Sequence, residues 1–154
     1  MPRISAETTI AAPLEQVWQL AQNVEKFPEF IPDLVSVKVL ESEQTSPATL
    51  RTVTEWMGRI KQFNRNVHWV EEDIWNTDER ICHFWQIRGD YETYKGTWKF
   101  EEIDAQNTRA VLDIEYSFNI PLLGPLIQKV AQKLMQESSD TMLVCLKTEA
   151  EKSS

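Results

Sequence analysis

Arg109-Ala110-Val111-Leu112-Asp113-Ile114-Glu115-Tyr116-Ser117-Phe118-Asn119-Ile120 decides how the rest of this chain is read. Leu112, Ile114, Tyr116, Phe118 and Ile120 share one parity, and Asp113, Glu115, Ser117 and Asn119 share the other. A period of two marks a strand with one dry face and one wet face. Sheets that are wet on one side are antiparallel, because parallel sheets are covered on both faces. Working upstream, similar runs are spaced by turn residues. Tyr94 to Glu101 is preceded by Gly89-Asp90 and followed by Asp104 to Asn107. Arg80 to Ile87 follows Asn76-Thr77-Asp78, and Asn64 to Trp75 precedes it. Leu50 to Met57 is expected to end at Gly58, and Val35, Val37 and Val39 alternate before the Ser46-Pro47 turn. Strands joined by short turns form a meander.

The ends of the chain read differently. Ile4, Ala6, Thr8 and Ile10 alternate with polar residues, as in a strand. Pro13 suits the first turn of a helix, and Leu14, Val17, Trp18 and Ala21 then form one apolar stripe. Phe27-Pro28-Glu29-Phe30-Ile31-Pro32 allows at most one more helical turn. Pro121 closes the sheet region, and Gly124-Pro125 starts a helix that can run to about Glu151. At 100° per residue, Leu123, Ile127, Val130, Leu134, Ser138, Thr141 and Cys145 fall on one helix face. An antiparallel sheet of this size must cover its apolar face. Only the long helix is big enough to do so. The expected class is α+β: a strand, one or two short helices, about six strands and one long helix, in a single domain spanning residues 1–154.

Composition narrows the partners. The 154 residues carry a net charge of −8, which speaks against nucleic acid and anionic membranes, since both need basic surface. No stretch is long and apolar enough to span a bilayer, so no integral membrane association is expected. The N-terminal residues lack the apolar core of a signal peptide, and Cys82 and Cys145 have no metal or redox spacing. A cytoplasmic protein with reduced thiols, monomeric or dimeric, is the expectation.

Several segments resemble the START-like, or helix-grip, superfamily, in its polyketide cyclase/dehydrase and coenzyme Q-binding branch. They are Thr9-Ile10-Ala11-Ala12-Pro13-Leu14-Glu15-Gln16-Val17-Trp18, then Asn23-Val24-Glu25-Lys26-Phe27-Pro28-Glu29-Phe30-Ile31-Pro32, then Gly96-Thr97-Trp98-Lys99-Phe100. The long C-terminal helix is similar too, so the resemblance covers roughly Ile4 to Thr148. It implies a curved seven-stranded antiparallel sheet wrapped around the C-terminal helix, with two short helices after the first strand and an elongated pocket between sheet and helix. It implies no single activity, because the superfamily includes lipid carriers, quinone chaperones, cyclases and ribosome-associated toxins.

The residues themselves describe a container. Trp69 and Trp75 share a parity with Glu71 and Asp73. If the face is dry, burial raises the carboxyl pKa values and makes the acids candidate catalytic groups. The expectation is that a local twist leaves both acids wet, titrating near the reference value of about 4. Tyr94, Trp98 and Phe100 share a face with Gly96, and Tyr116 and Phe118 project from the last strand. With Trp69, Trp75, Leu134 and Ser138 they are the expected ligand contacts, and Arg51 is the candidate partner for an acidic ligand group. Arg65 and Arg88 are the other strand-borne cations that could meet such a group. Ser138, Thr141 and Cys145 mark either space for a ligand or a helix end leaving the core. The strand carrying His83 has two apolar faces and an open orientation. Two histidines without further donors, His68 and His83, make no metal site. Absence of phosphate-loop, dinucleotide and nucleophile-elbow motifs removes those chemistries, and no cofactor is expected. The favoured reading is a carrier or sensor of a hydrophobic small molecule. The alternatives are a polyketide cyclase/dehydratase (aromatase) using Glu71, Asp73, Tyr94 or Arg51, and an interaction protein of the ribosome-toxin type.

Overall fold

The computed structural model describes residues 2–118 and 124–152, apart from the side chains of Phe63 and of residues 124–128. Asn119, Ile120, Pro121 and Leu123, and the side chain of Ile127, lie outside this description. The elements run β1 (Arg3–Ile10), α1 (Leu14–Gln22), a 3₁₀ helix (Val24–Glu29), β2 (Leu34–Ser46), β3 (Thr49–Ile60), β4 (Arg65–Asn76), β5 (Ile81–Gly89), β6 (Tyr91–Asp104), β7 (Asn107–Phe118) and α2 (Gly124–Lys152). The strands form one antiparallel seven-stranded sheet in the order β1-β7-β6-β5-β4-β3-β2. This is the α+β helix-grip architecture.

The alternation that marks β7 is kept in three dimensions. Thr108, Ala110, Leu112, Ile114 and Tyr116 are buried, and the residues between them are half-buried. β1 adds Ile4 and Ala6 opposite Ile114 and Leu112. β5 settles the orientation that its sequence leaves open. Cys82 and Phe84 face the core, while His83, Trp85 and Ile87 are exposed. Phe84 pairs with Gly96, where a Cβ would lie 2.1 Å from the Asp113 carbonyl oxygen and 2.8 Å from the Phe84 ring. Only glycine lets the ring lie over β6 while β6 approaches β7 this closely.

Three local expectations change. β3 continues through Gly58, which pairs with both Leu34 and Val67, so the glycine does not end the strand. Val35 is exposed although it shares parity with buried Val37, because the β2–β3 register shifts between Leu34 and Ser36. The buried stripe of α2 is Ser139, Leu143, Leu146 and Ala150, rotated from the expected face, and Val130 is exposed.

The interior has two ends. Under α1 it is solid. Trp18 meets Trp75 and Phe100 edge-on at 5.4 and 5.7 Å, with Ile10, Ala12, Leu146 and Ala150 in the same core. Arg80 covers Trp18 at 5.5 Å and pairs with Glu15 at 2.6 Å. Toward the β3–β4 turn and the first half of α2, the interior opens.

Candidate functional site

A cavity of about 720 Å³ lies between the inner face of the sheet and α2. Its rim carries the exposed residues Arg59, Gln62, Arg65 and Asn66 from the β3–β4 connection. Ala131, Leu134, Met135, Ser138, Thr141 and Met142 close it from the helix side. Its wall is aromatic, and the rings come from five strands: Trp56 on β3, Trp69 on β4, Phe84 on β5, Tyr91, Tyr94 and Trp98 on β6, and Phe118 on β7. Trp56 and Trp69 are stacked, with ring centres 5.8 Å apart and planes 7° from parallel. Tyr91 and Tyr94 stack at 4.5 Å, and Tyr94 lies 5.3 Å from Trp69.

Along β4 the wall ends at Glu71. Contrary to the expectation of wet acids, Glu71 and Asp73 are 5% and 3% exposed. The strand is regular here against β3, with Glu71 opposite Thr54 and Asp73 opposite Thr52, so both carboxyls turn inward with the tryptophans. The two carboxyls are hydrogen-bonded to each other. Trp69 Nε1 donates to Glu71 Oε1 at 2.8 Å. Thr52 and Thr54 donate to Asp73 Oδ2 at 2.9 and 2.8 Å, and Trp56 Nε1 donates to Thr54 Oγ1 at 2.7 Å. A longer bond of 3.4 Å joins Trp75 Nε1 to Thr52 Oγ1. Three indoles and two hydroxyls therefore converge on one acid pair.

Every donor to this pair is neutral. Burial drives the Glu71 carboxyl well above the usual range, the Asp73 charge drives it further, and the Trp69 N–H offsets part of this. Burial also raises Asp73, against the hydrogen bonds from Glu71, Thr54 and Thr52. One proton shared by two carboxyls is the arrangement that like charges at close range enforce. Both carboxyls thus hold a proton more tightly than exposed acids do, Glu71 at the cavity wall more so than Asp73 behind it. Burial likewise pushes the Tyr94 phenol up. The Tyr91 hydroxyl donates to Met135 Sδ at 3.7 Å, tying β6 to α2 across the cavity.

The candidate ligand contacts divide into three groups. Trp69, Tyr94, Trp98, Phe118, Leu134 and Ser138 line the cavity together. Trp75 and Phe100 face inward but belong to the solid end, against Trp18. Tyr116 is buried beside Phe118, with ring centres 5.8 Å apart, outside the cavity wall, and its hydroxyl has no hydrogen-bond partner among the described residues. Arg51 is a correction. Its neighbours Thr52 and Thr54 face inward, so Arg51 faces outward, ion-paired with Glu72 and 3.7 and 3.9 Å from Glu41 and Glu43. Arg65, not Arg51, stands at the cavity, and Arg88 is exposed on β5. His68 pairs with Glu55 at 3.0 Å, and the described residues contain no cluster suited to a metal ion.

Sequence reasoning missed Trp56, Phe84 and Tyr91. Trp56 shares parity with Thr52 and Thr54, so its orientation could have been read once Glu71 and Asp73 were placed. Tyr91 is three residues from Tyr94 and should face the opposite way. A register shift between Tyr91 and Thr93 turns both inward, and Gln86 bonds both backbone polar groups of Tyr91 at 2.9 and 3.2 Å.

No helix among the described residues is long and apolar enough to cross a membrane. The same fold is found in TTHA0849 from Thermus thermophilus, with TM-score 0.89 and 32% identity, covering 99% of each chain. The Zhui aromatase/cyclase from Streptomyces sp. R1128 superposes with TM-score 0.87 at 18% identity, over 98% of this chain and 94% of that one. The ribosome association toxin RatA of Escherichia coli K12 is 21% identical over 140 residues, 88% of this chain and 84% of its own. Residues 10–142 match the sequence pattern of one family over most of the chain, and with that match the cavity has its setting: the chain belongs to the polyketide cyclase/dehydrase and lipid transport family.

Proposed function

We propose that this protein binds a hydrophobic small molecule, of the lipid, isoprenoid/quinone or polyketide-like kind, between the sheet and α2, and acts as its carrier or sensor. The observation that carries this reading is the aromatic cavity of about 720 Å³, a volume within the usual range for small-molecule sites. A ligand burying about 400 Å² of apolar surface gains roughly 10 kcal/mol at about 25 cal/mol per Å². Association costs of at least about 4 kcal/mol leave at most about 6 kcal/mol, an affinity of roughly tens of micromolar. No chemical step is needed for such a site to be useful. The proton of Glu71 is engaged with Asp73, which suits a wall held in place more than an acid aimed at a substrate.

Titration with a neutral apolar fluorophore such as phenylnaphthylamine tests this. The indole emission should change on binding, and the change should weaken in Trp98→Phe. A fluorophore that leaves the emission of the wild-type protein unaltered would remove the carrier reading.

A second reading has its own observation. Burial favours the neutral acid at Glu71 in the cavity wall, the state a general acid for dehydration or cyclisation requires. The likeness to an aromatase/cyclase supports it at the level of fold. Loss of turnover of an aromatic polyketide mimic in Glu71→Gln, with binding of the mimic retained, would favour the enzyme over the carrier. The ribosome association that RatA is named for is the least favoured function for this chain, because a net charge of −8 opposes RNA.

A further inference from the structure

We propose that the molecule seated in this cavity is an organic cation: an apolar body bearing an amine or quaternary ammonium group, placed against Trp69, Tyr94 and Glu71. This rests on the reading that the cavity binds an apolar small molecule and adds the chemical class of its polar group. Three observations on the cavity lead there.

The first is the wall itself. Trp56, Trp69, Tyr91, Tyr94 and Trp98 surround the inner part of the cavity. Aromatic faces carry partial negative charge, and indoles attract cations most strongly. Stacking of Trp56 on Trp69, with planes 7° apart, and of Tyr91 on Tyr94, with planes 27° apart, gives two stacked pairs joined at the Trp69–Tyr94 contact of 5.3 Å.

The second is charge. The Glu71–Asp73 pair is buried with neutral donors alone: Trp69, Thr52 and Thr54. No lysine, arginine or histidine among the described residues is ion-paired to either acid. The arginines of the cavity, Arg59 and Arg65, sit at its exposed rim, and Arg59 bonds Asn64 Oδ1 at 2.6 Å. The inner part therefore holds a buried acid pair with no basic partner among the described residues. A ligand anion at that depth would meet it unscreened, whereas a ligand cation would complete it.

The third is the shape of the polar part. The donors Trp69, Thr52 and Thr54 fix both carboxyls on the sheet side, and the α2 residues that line the cavity include one charged side chain, the acidic Glu137, and no basic one. The cation would rest between rings and acid pair without competing with a basic side chain.

A matched pair of probes tests this: phenylbutyl-trimethylammonium and its uncharged analogue with carbon in place of nitrogen. Both have the same shape, and neither titrates. An ordinary apolar cavity prefers the carbon compound by roughly a hundredfold or more, because the ammonium must be desolvated. Here the ammonium compound should bind at least as tightly as the carbon compound to the wild-type protein in calorimetry at physiological salt. In the double variant Glu71→Gln, Asp73→Asn, isosteric and uncharged, the order should reverse by roughly tenfold or more. Tighter binding of the carbon compound to the wild type overturns the cation and leaves the apolar cavity standing. Binding of neither compound sinks the cavity reading as well. A preference for the ammonium that survives in the folded double variant also overturns the proposal, since the acid pair would then not be its source. The wild-type comparison needs no substitution, so a double variant that fails to fold leaves that decision intact.

Discussion

Glu71 is the residue where burial and chemistry pull hardest against each other. Its carboxyl sits among rings, its partner is another acid, and its strongest neutral support is one indole N–H at 2.8 Å. A carboxyl whose folded-state pKa is raised binds its proton more tightly in the native than in the unfolded chain. Between the unfolded value of about 4.3 and the raised native value, the native state therefore holds more protons, and stability falls as pH rises. Asp73 acts in the same direction. Denaturant unfolding from pH 4 upward should show this decline in the wild type. Glu71→Gln should flatten it, since the amide cannot ionise. Each pKa unit of elevation is worth about 1.4 kcal/mol across that window. A wild-type profile that rises instead would mean that the acids are not buried as an uncharged-donor pair. The sequence revealed that Glu71, Asp73 and Trp69 share a face, because strand parity is a local property. It did not reveal that the face is dry. That depends on α2 and β6, which are contributed by residues at least eighteen positions away.

Elements were legible in proportion to the regularity of their periods. β7 alternates cleanly and lies where its pattern puts it. β5 has apolar residues on both faces, and only pairing of Phe84 with Gly96 and Asp73 decides which face is inside. β6 hides Tyr91 behind a register shift that no local pattern announces. α2 is the instructive case. The face chosen from its periodicity contains Leu134, Ser138 and Thr141, which line the cavity, whereas the stripe that packs the core is Ser139, Leu143, Leu146 and Ala150. A helix that both closes a core and roofs a cavity has two neighbouring faces, and one apolar period cannot describe both. The two faces should differ energetically. Leu146→Ala empties a fully buried position and should cost about 2–5 kcal/mol. Leu134 already borders open space, so Leu134→Ala should cost less than half as much while altering probe affinity. Equal losses in denaturant unfolding would show that the first half of α2 packs as tightly as the second.

At the scale of the whole molecule, the solid end and the hollow end divide the labour. α1, Trp18, Trp75, Phe100 and the last turns of α2 form a core that needs no ligand. At the other end, the β3–β4 connection, Tyr91 and the first half of α2 surround a space whose walls touch each other across few bridges, such as Tyr91 to Met135. Stability in such a molecule is unevenly distributed, and the elements that admit a ligand belong to the less protected part. A ligand that binds only the native state adds RT ln(1 + [L]/Kd), about 2.7 kcal/mol at one hundred times Kd. Because the contacts it adds are confined to the hollow end, the gain should not be uniform along the chain. In native-state hydrogen exchange, amides of residues 58–66 and 129–142 should slow on saturation with a cavity-filling compound. Those of β1, α1 and residues 143–150 should change little, since they already open only with the whole fold. Uniform protection, or protection confined to α1, would place the compound somewhere other than between the rings of Trp69, Tyr94 and Trp98 and the helix that covers them.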